Sequence, residues 1–121
     1  MSQGPIPALI HGMTEYAAGA LFVAAPFLFG FDSGAAQAVA ITVGVVILVV
    51  TAASNLPTGL AKIVPVGIHV VLDFGTGAFL IAAPFLFGFS GESAPTAWFI
   101  VLGVFHVLLT IGTRFTTRAA A

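Results

Sequence analysis

Charge is what this sequence has least of. Of 121 residues, three are Lys or Arg and four are Asp or Glu, 6% in all, where an average soluble domain carries roughly 25%. A soluble globule of this length needs a polar exterior, and the residues for one are missing. With 60% hydrophobic residues and a mean hydropathy of +1.18, the chain reads as an integral membrane protein. Its net charge of −1 leaves no basic field to hold nucleic acid and no polybasic tract for anionic lipid heads. Cysteine is absent, which excludes disulfides, thiolate nucleophiles and Cys-ligated zinc or iron–sulfur centres. There is no Ser/His/Asp set, phosphate loop or HExxH motif, so an enzyme is not expected. The opening MSQGPIPALIHGMTEY lacks the basic n-region of a cleaved signal peptide. The first apolar stretch is therefore expected to be retained.

What the chain does have is a repeat. Residues 7–31 recur as residues 65–89 at a constant offset of 58 without a gap. Pro7 matches Pro65, His11 matches His69, Glu15 answers Asp73 and Gly19 matches Gly77, while Ala24 to Phe31 returns intact as Ala82 to Phe89. Internal repeats of this kind set the architecture before any local reading does.

Four apolar spans follow. The first runs from about Ala8 to Ala25, about 27 Å at helical rise and close to a hydrocarbon thickness of about 30 Å. Pro26 removes a backbone donor and biases Ala25 away from the helix, so Phe27, Phe29 and Phe31 are expected in a kinked or reentrant cap at the membrane interface. Pro84, Phe85, Phe87 and Phe89 form the second such cap. The second span, about Ala35 to Ala53, places Ala36, Ala40 and Gly44 four apart, a small-residue strip that lets another helix come close. The third starts at Pro65 and runs to Ala83. The fourth, about Thr96 to Thr113, aligns with the second after a one-residue insertion, pairing Gly44 with Gly103 and Thr51 with Thr110. Gly19, Gly77 and Gly103 join the strip as expected packing positions.

The expected fold is an all-α membrane protein. Four transmembrane helices form two tandem hairpins, related by a pseudo-two-fold along the membrane normal. It is a single membrane domain over 1–121, with repeat 1 at about 7–55 and repeat 2 at about 65–114. Lys62, Arg114 and Arg118 fall on the side of both termini, with Asp32 and Glu92 opposite. The positive-inside rule then puts both termini in the cytoplasm.

A helix pair whose first member ends in a small residue, Pro, an aromatic and then Leu-Phe-Gly-Phe resembles the SPW-repeat family of small bacterial membrane proteins. Ala25-Pro26-Phe27 and Ala83-Pro84-Phe85 stand where that family has Ser-Pro-Trp, and Leu28 to Phe31 and Leu86 to Phe89 fit the stretch after it. The resemblance implies a multi-pass protein of the bacterial inner (plasma) membrane, and it implies no reaction.

Titratable groups inside the spans are few and costly, roughly 2.5–3.5 kcal/mol for an Asp on insertion scales. His11 and Glu15 are four apart, as are His69 and Asp73, so each pair shares a helix face. His106 sits at comparable depth, and its counterpart in the second span is Ile47. The cluster could pin the helices in register, form a proton or ion path, or ligate heme, pigment magnesium, zinc or iron. The spacing selects no cofactor. With almost no mass outside the membrane, the expected role is an accessory or assembly subunit, packing against lipid and against other membrane proteins or copies of itself. A small proton-coupled transporter or channel is the alternative, and a pigment or heme carrier the third.

Overall fold

The computed structural model describes residues 4–115; Arg118, invoked for orientation, lies outside them. The elements in chain order are β1 (Ile6–Pro7), α1 (Ala8–Leu28), α2 (Gly34–Ala53), α3 (Val66–Leu86), α4 (Ser93–Ile111) and β2 (Thr113–Arg114). All four helices are long and apolar enough to cross a membrane. Pro7 and Pro65 stand just before α1 and α3 in extended conformation, where a missing N–H costs no helical bond. Ser33 caps α2 by accepting from the amide of Ala36 at 3.1 Å.

α1 and α3 run through Pro26 and Pro84 to Leu28 and Leu86, three residues past where the prolines were expected to stop them. Near a helix end, proline forfeits one hydrogen bond and leaves the last turn to close on its own. The Phe29 and Phe87 amides bond the carbonyls of Ala25 and Ala83, both at 2.9 Å. Gly30 (φ +62°) and Gly88 (φ +72°) then reverse the chain. The Phe31 and Phe89 amides return to the carbonyls of Pro26 (3.1 Å) and Pro84 (2.9 Å). This is a Schellman closure, whose last residue folds back onto the helix. The Phe-rich segments are thus split. Phe27, Phe29, Phe85 and Phe87 are exposed on the outside, whereas Phe31 and Phe89 are buried with Pro26 and Pro84. The cap reading is corrected for that buried half.

α4 begins at Ser93 and ends at Ile111, because Pro95 fits a first helical turn and Thr113 leaves the helix for a strand. β2 pairs in parallel with β1, Ile6 opposite Thr113 and Pro7 opposite Arg114. The start of α1 and the end of α4 are therefore tied at one end of the bundle.

Glycine sets the packing within each hairpin. A methyl built on Gly44 would lie 2.6 Å from the Gly19 carbonyl oxygen, and one on Gly103 would lie 3.0 Å from that of Gly77. α1 meets α2, and α3 meets α4, nearly backbone to backbone, with Ala36 and Ala40 buried along α2. Between hairpins, apart from the β1–β2 pairing, the helices meet through side chains. Phe22 packs edge-on against Trp98 and Phe99, both at 5.5 Å between ring centroids, and Phe29 lies against Trp98 at 5.2 Å. α2 and α3 barely touch. The apolar core (Phe22, Phe31, Leu80, Phe89, Phe99) fills the half of the bundle beneath the 29–33 and 87–92 loops. The other half is polar.

Candidate functional site

His11 and Glu15 lie in the first two turns of α1, and His69 and Asp73 in those of α3, about 5–10 Å from the helix starts at 1.5 Å per residue. α4 returns to the same level with His106. All five side chains are buried, and the structure brings them into one cluster. His11 Nε2 is 2.9 Å from Asp73 Oδ2 and 3.0 Å from Glu15 Oε2. His69 Nε2 is 2.8 Å from Glu15 Oε1 and 3.1 Å from Asp73 Oδ2. His106 Nε2 stands 3.3 Å from Asp73 Oδ1 and 3.6 Å from Glu15 Oε2. Thr51 leans on Glu15 Oε1 at 3.4 Å. Each imidazole of the repeat therefore faces both acids, its own helix's and the other hairpin's.

The other ring nitrogens decide the tautomer. Ser54 Oγ donates to the Val50 carbonyl at 2.5 Å and sits 2.6 Å from His69 Nδ1. Thr113 Oγ1 donates to the Leu109 carbonyl at 2.6 Å and sits 2.8 Å from His11 Nδ1. A hydroxyl has one proton, already given to the carbonyl, so it accepts from Nδ1–H. Both histidines hold a proton on Nδ1 and turn Nε2 to the acids. Sequence reading missed Ser54 and Thr113. The signal was present: the offset that aligns Thr51 with Thr110 also aligns Ser54 with Thr113, just past the helix ends.

Around the cluster, Tyr16 donates to the Thr58 carbonyl at 2.9 Å, and the Phe115 ring lies 4.7 Å from that of His11. A cavity of about 60 Å³ borders Glu15, His69, Asp73 and His106. At about 30 Å³ per water it has room for one or two, and none for a heme or chlorin ring. Toward the opposite end, the buried residues are those of the aromatic core. Among the described residues no buried titratable side chain continues the cluster across the bundle.

That opposite end has its own polar clasp. Glu92, at the start of α4, accepts from the backbone amides of Asp32 (2.6 Å) and Ser33 (2.9 Å). One carboxylate thereby joins the two outer loops.

Gly19, Gly44, Gly77 and Gly103 lie at the helix crossings described above, away from the cluster. On the open flank between α2 and α3 lies a groove of about 710 Å³, walled by Val39, Val43, Val71 and Phe79 with Ala38 and Gly75 among its small residues.

No curated protein and no solved structure matches this chain. A family model does: the one described as SPW repeat domain matches residues 9–113. It covers both hairpins and the whole histidine–carboxylate cluster, and this multi-pass membrane chain belongs to the SPW repeat family.

Proposed function

We propose that this protein is an accessory subunit of the bacterial plasma membrane, with both termini cytoplasmic, that seats an apolar transmembrane helix of a partner protein between α2 and α3. The groove carries the reading. Three sides of the bundle are closed by backbone-close crossings or by aromatic rings, while this flank is open at mid-span. Its residues are apolar or small, and a methyl on Gly75 would meet nothing within 4 Å. In lipid, helices associate by close packing at small residues rather than by hydrophobicity, so an open wall with a glycine in it suits a helix. The cytoplasmic placement rests on Lys62 and Arg114 lying at one end and Asp32 and Glu92 at the other.

Mild-detergent purification with mass spectrometry of the co-purifying chains tests this, using Gly75→Trp as the comparison. The partner should co-purify with the parent and be lost from the variant, whose own circular dichroism stays unchanged. Recovery of the parent as a lone chain, as a self-assembly, or with lipid as its sole companion would refute it. The proton-coupled alternative gains no support from the core, where Phe22, Leu80 and Phe99 stand in the way of a continuous polar path.

A further inference from the structure

The histidine–carboxylate cluster carries a second reading, independent of the partner helix. His11 Nε2, Glu15, His69 Nε2 and Asp73 form a ring of donors whose successive separations are 3.0, 2.8, 3.1 and 2.9 Å. All four offer a ligand atom within 4.8 Å of the others. Glu15 enters with both oxygens, Oε2 toward His11 and Oε1 toward His69, so the ring has five atoms and its centre lies about 2–2.5 Å from each, close to the length of a metal–imidazole or metal–carboxylate bond. A single N–H proton points at one oxygen, yet each Nε2 here is shared between two acids. One central cation would satisfy all four groups at once.

Three further observations agree. Nδ1–H of His11 and of His69 is fixed on Thr113 and Ser54, the outer-shell hydrogen bond that turns a histidine's free Nε2 toward a metal. Two carboxylates with neutral imidazoles balance one divalent charge, which matters where uncompensated charge is expensive. The cavity beside Glu15, Asp73 and His106 leaves space for a water or small ligand in an open position.

We infer that this cluster binds one divalent first-row transition-metal ion through His11, His69, Glu15 and Asp73, with His106 as a flanking donor. Nitrogen and oxygen donors without sulfur suit zinc, iron(II), cobalt(II) or manganese(II). The site joins both hairpins, so the ion bridges the two repeats. It would enter from the end carrying the 54–64 loop and β2, where Phe115 covers the His11 ring.

The test uses the full chain in mild detergent. Metal content is measured by mass spectrometry before and after chelation, and the stripped protein is titrated with Co²⁺, then with Zn²⁺ as competitor. One ion per chain is expected, with cobalt d–d bands that Zn²⁺ abolishes. Glu15→Gln and Asp73→Asn keep the side-chain shape but remove the charge and turn one acceptor oxygen into a donor, and should lose the bands. Ser54→Ala removes only the outer-shell acceptor and should weaken Co²⁺ binding roughly 10–100-fold with the bands retained. Failure of the stripped parent to take up Co²⁺ or Zn²⁺ stoichiometrically overturns the inference, as does uptake unchanged in the carboxamide variants. If those variants do not fold, the parent's stoichiometry and the Ser54→Ala shift decide it.

Discussion

Exchanging Glu15 for leucine should be among the most damaging changes available to this chain. Its carboxylate lies within 3.0 Å of two imidazole nitrogens and 3.6 Å of a third. Removing it leaves three buried ring nitrogens short of an acceptor in a place water cannot easily reach. Breaking a buried pair from one side costs about 3–5 kcal/mol, whereas replacing both partners by apolar groups can be nearly neutral. The pair to test is Glu15 with His69, which meet at 2.8 Å across the hairpins. Ordinary side-chain hydrogen bonds between membrane helices couple by only about 0.6 kcal/mol, because the unfolded chain in lipid also finds partners. A shared ionic cluster should exceed that, so a Glu15→Leu/His69→Leu cycle should give a coupling of about 1.5–3 kcal/mol. The assay is reversible SDS unfolding in mixed micelles, followed by circular dichroism on chelator-treated protein. Glu15→Leu with Glu92→Ala serves as the control. These sites lie at opposite ends of the bundle, about 20 Å apart along α1, and should add within about 0.5 kcal/mol. A Glu15/His69 coupling at or below the 0.6 kcal/mol baseline would refute the idea that the cluster fastens the hairpins together.

Gly44→Ala should destabilise the first hairpin by about 1–3 kcal/mol, since the new methyl would sit 2.6 Å from the Gly19 carbonyl oxygen. In the same unfolding assay Gly75→Ala, with open space around it, should be neutral or stabilising by up to about 1 kcal/mol; the reverse order would overturn the packing account. Glu92→Ala should cost only about 1 kcal/mol, because its two hydrogen bonds are partly solvated. Its signature is faster hydrogen exchange at Asp32 and Ser33, with Gly44 unchanged.

The helices, their order and the titratable cluster were legible because each leaves a mark in the sequence. Apolar runs of membrane length declare the spans, and the 58-residue offset pairs His11 with His69 and Glu15 with Asp73. What escaped reading depends on closure geometry. Pro26 and Pro84 carry the breaker rule, but one lost hydrogen bond in a last turn is outweighed when the turns at Gly30 and Gly88 bring the Phe31 and Phe89 amides back to the Pro26 and Pro84 carbonyls. Phe31 and Phe89 look identical in composition to the exposed Phe29 and Phe87. Only the left-handed glycine between them sends one outward and the next inward. Ser54 and Thr113 escaped because one lies beyond its span and the other at the very end of one, and their role exists only once α3 and α1 bring an imidazole beside them. The repeat leaves open whether each histidine meets the acid of its own helix or that of the other hairpin, and the structure gives His11 and His69 both.

Glu92 on the Asp32 and Ser33 amides fastens the two hairpins at the far end from the histidines. Like a bow strung at both tips, the assembly is tied against swinging about either extremity. A parting of α2 from α3 is easiest at the waist, where Val43, Gly75 and Phe79 already leave room. Widening is thereby confined to the depth of the acyl chains, while the water-facing rims keep their spacing.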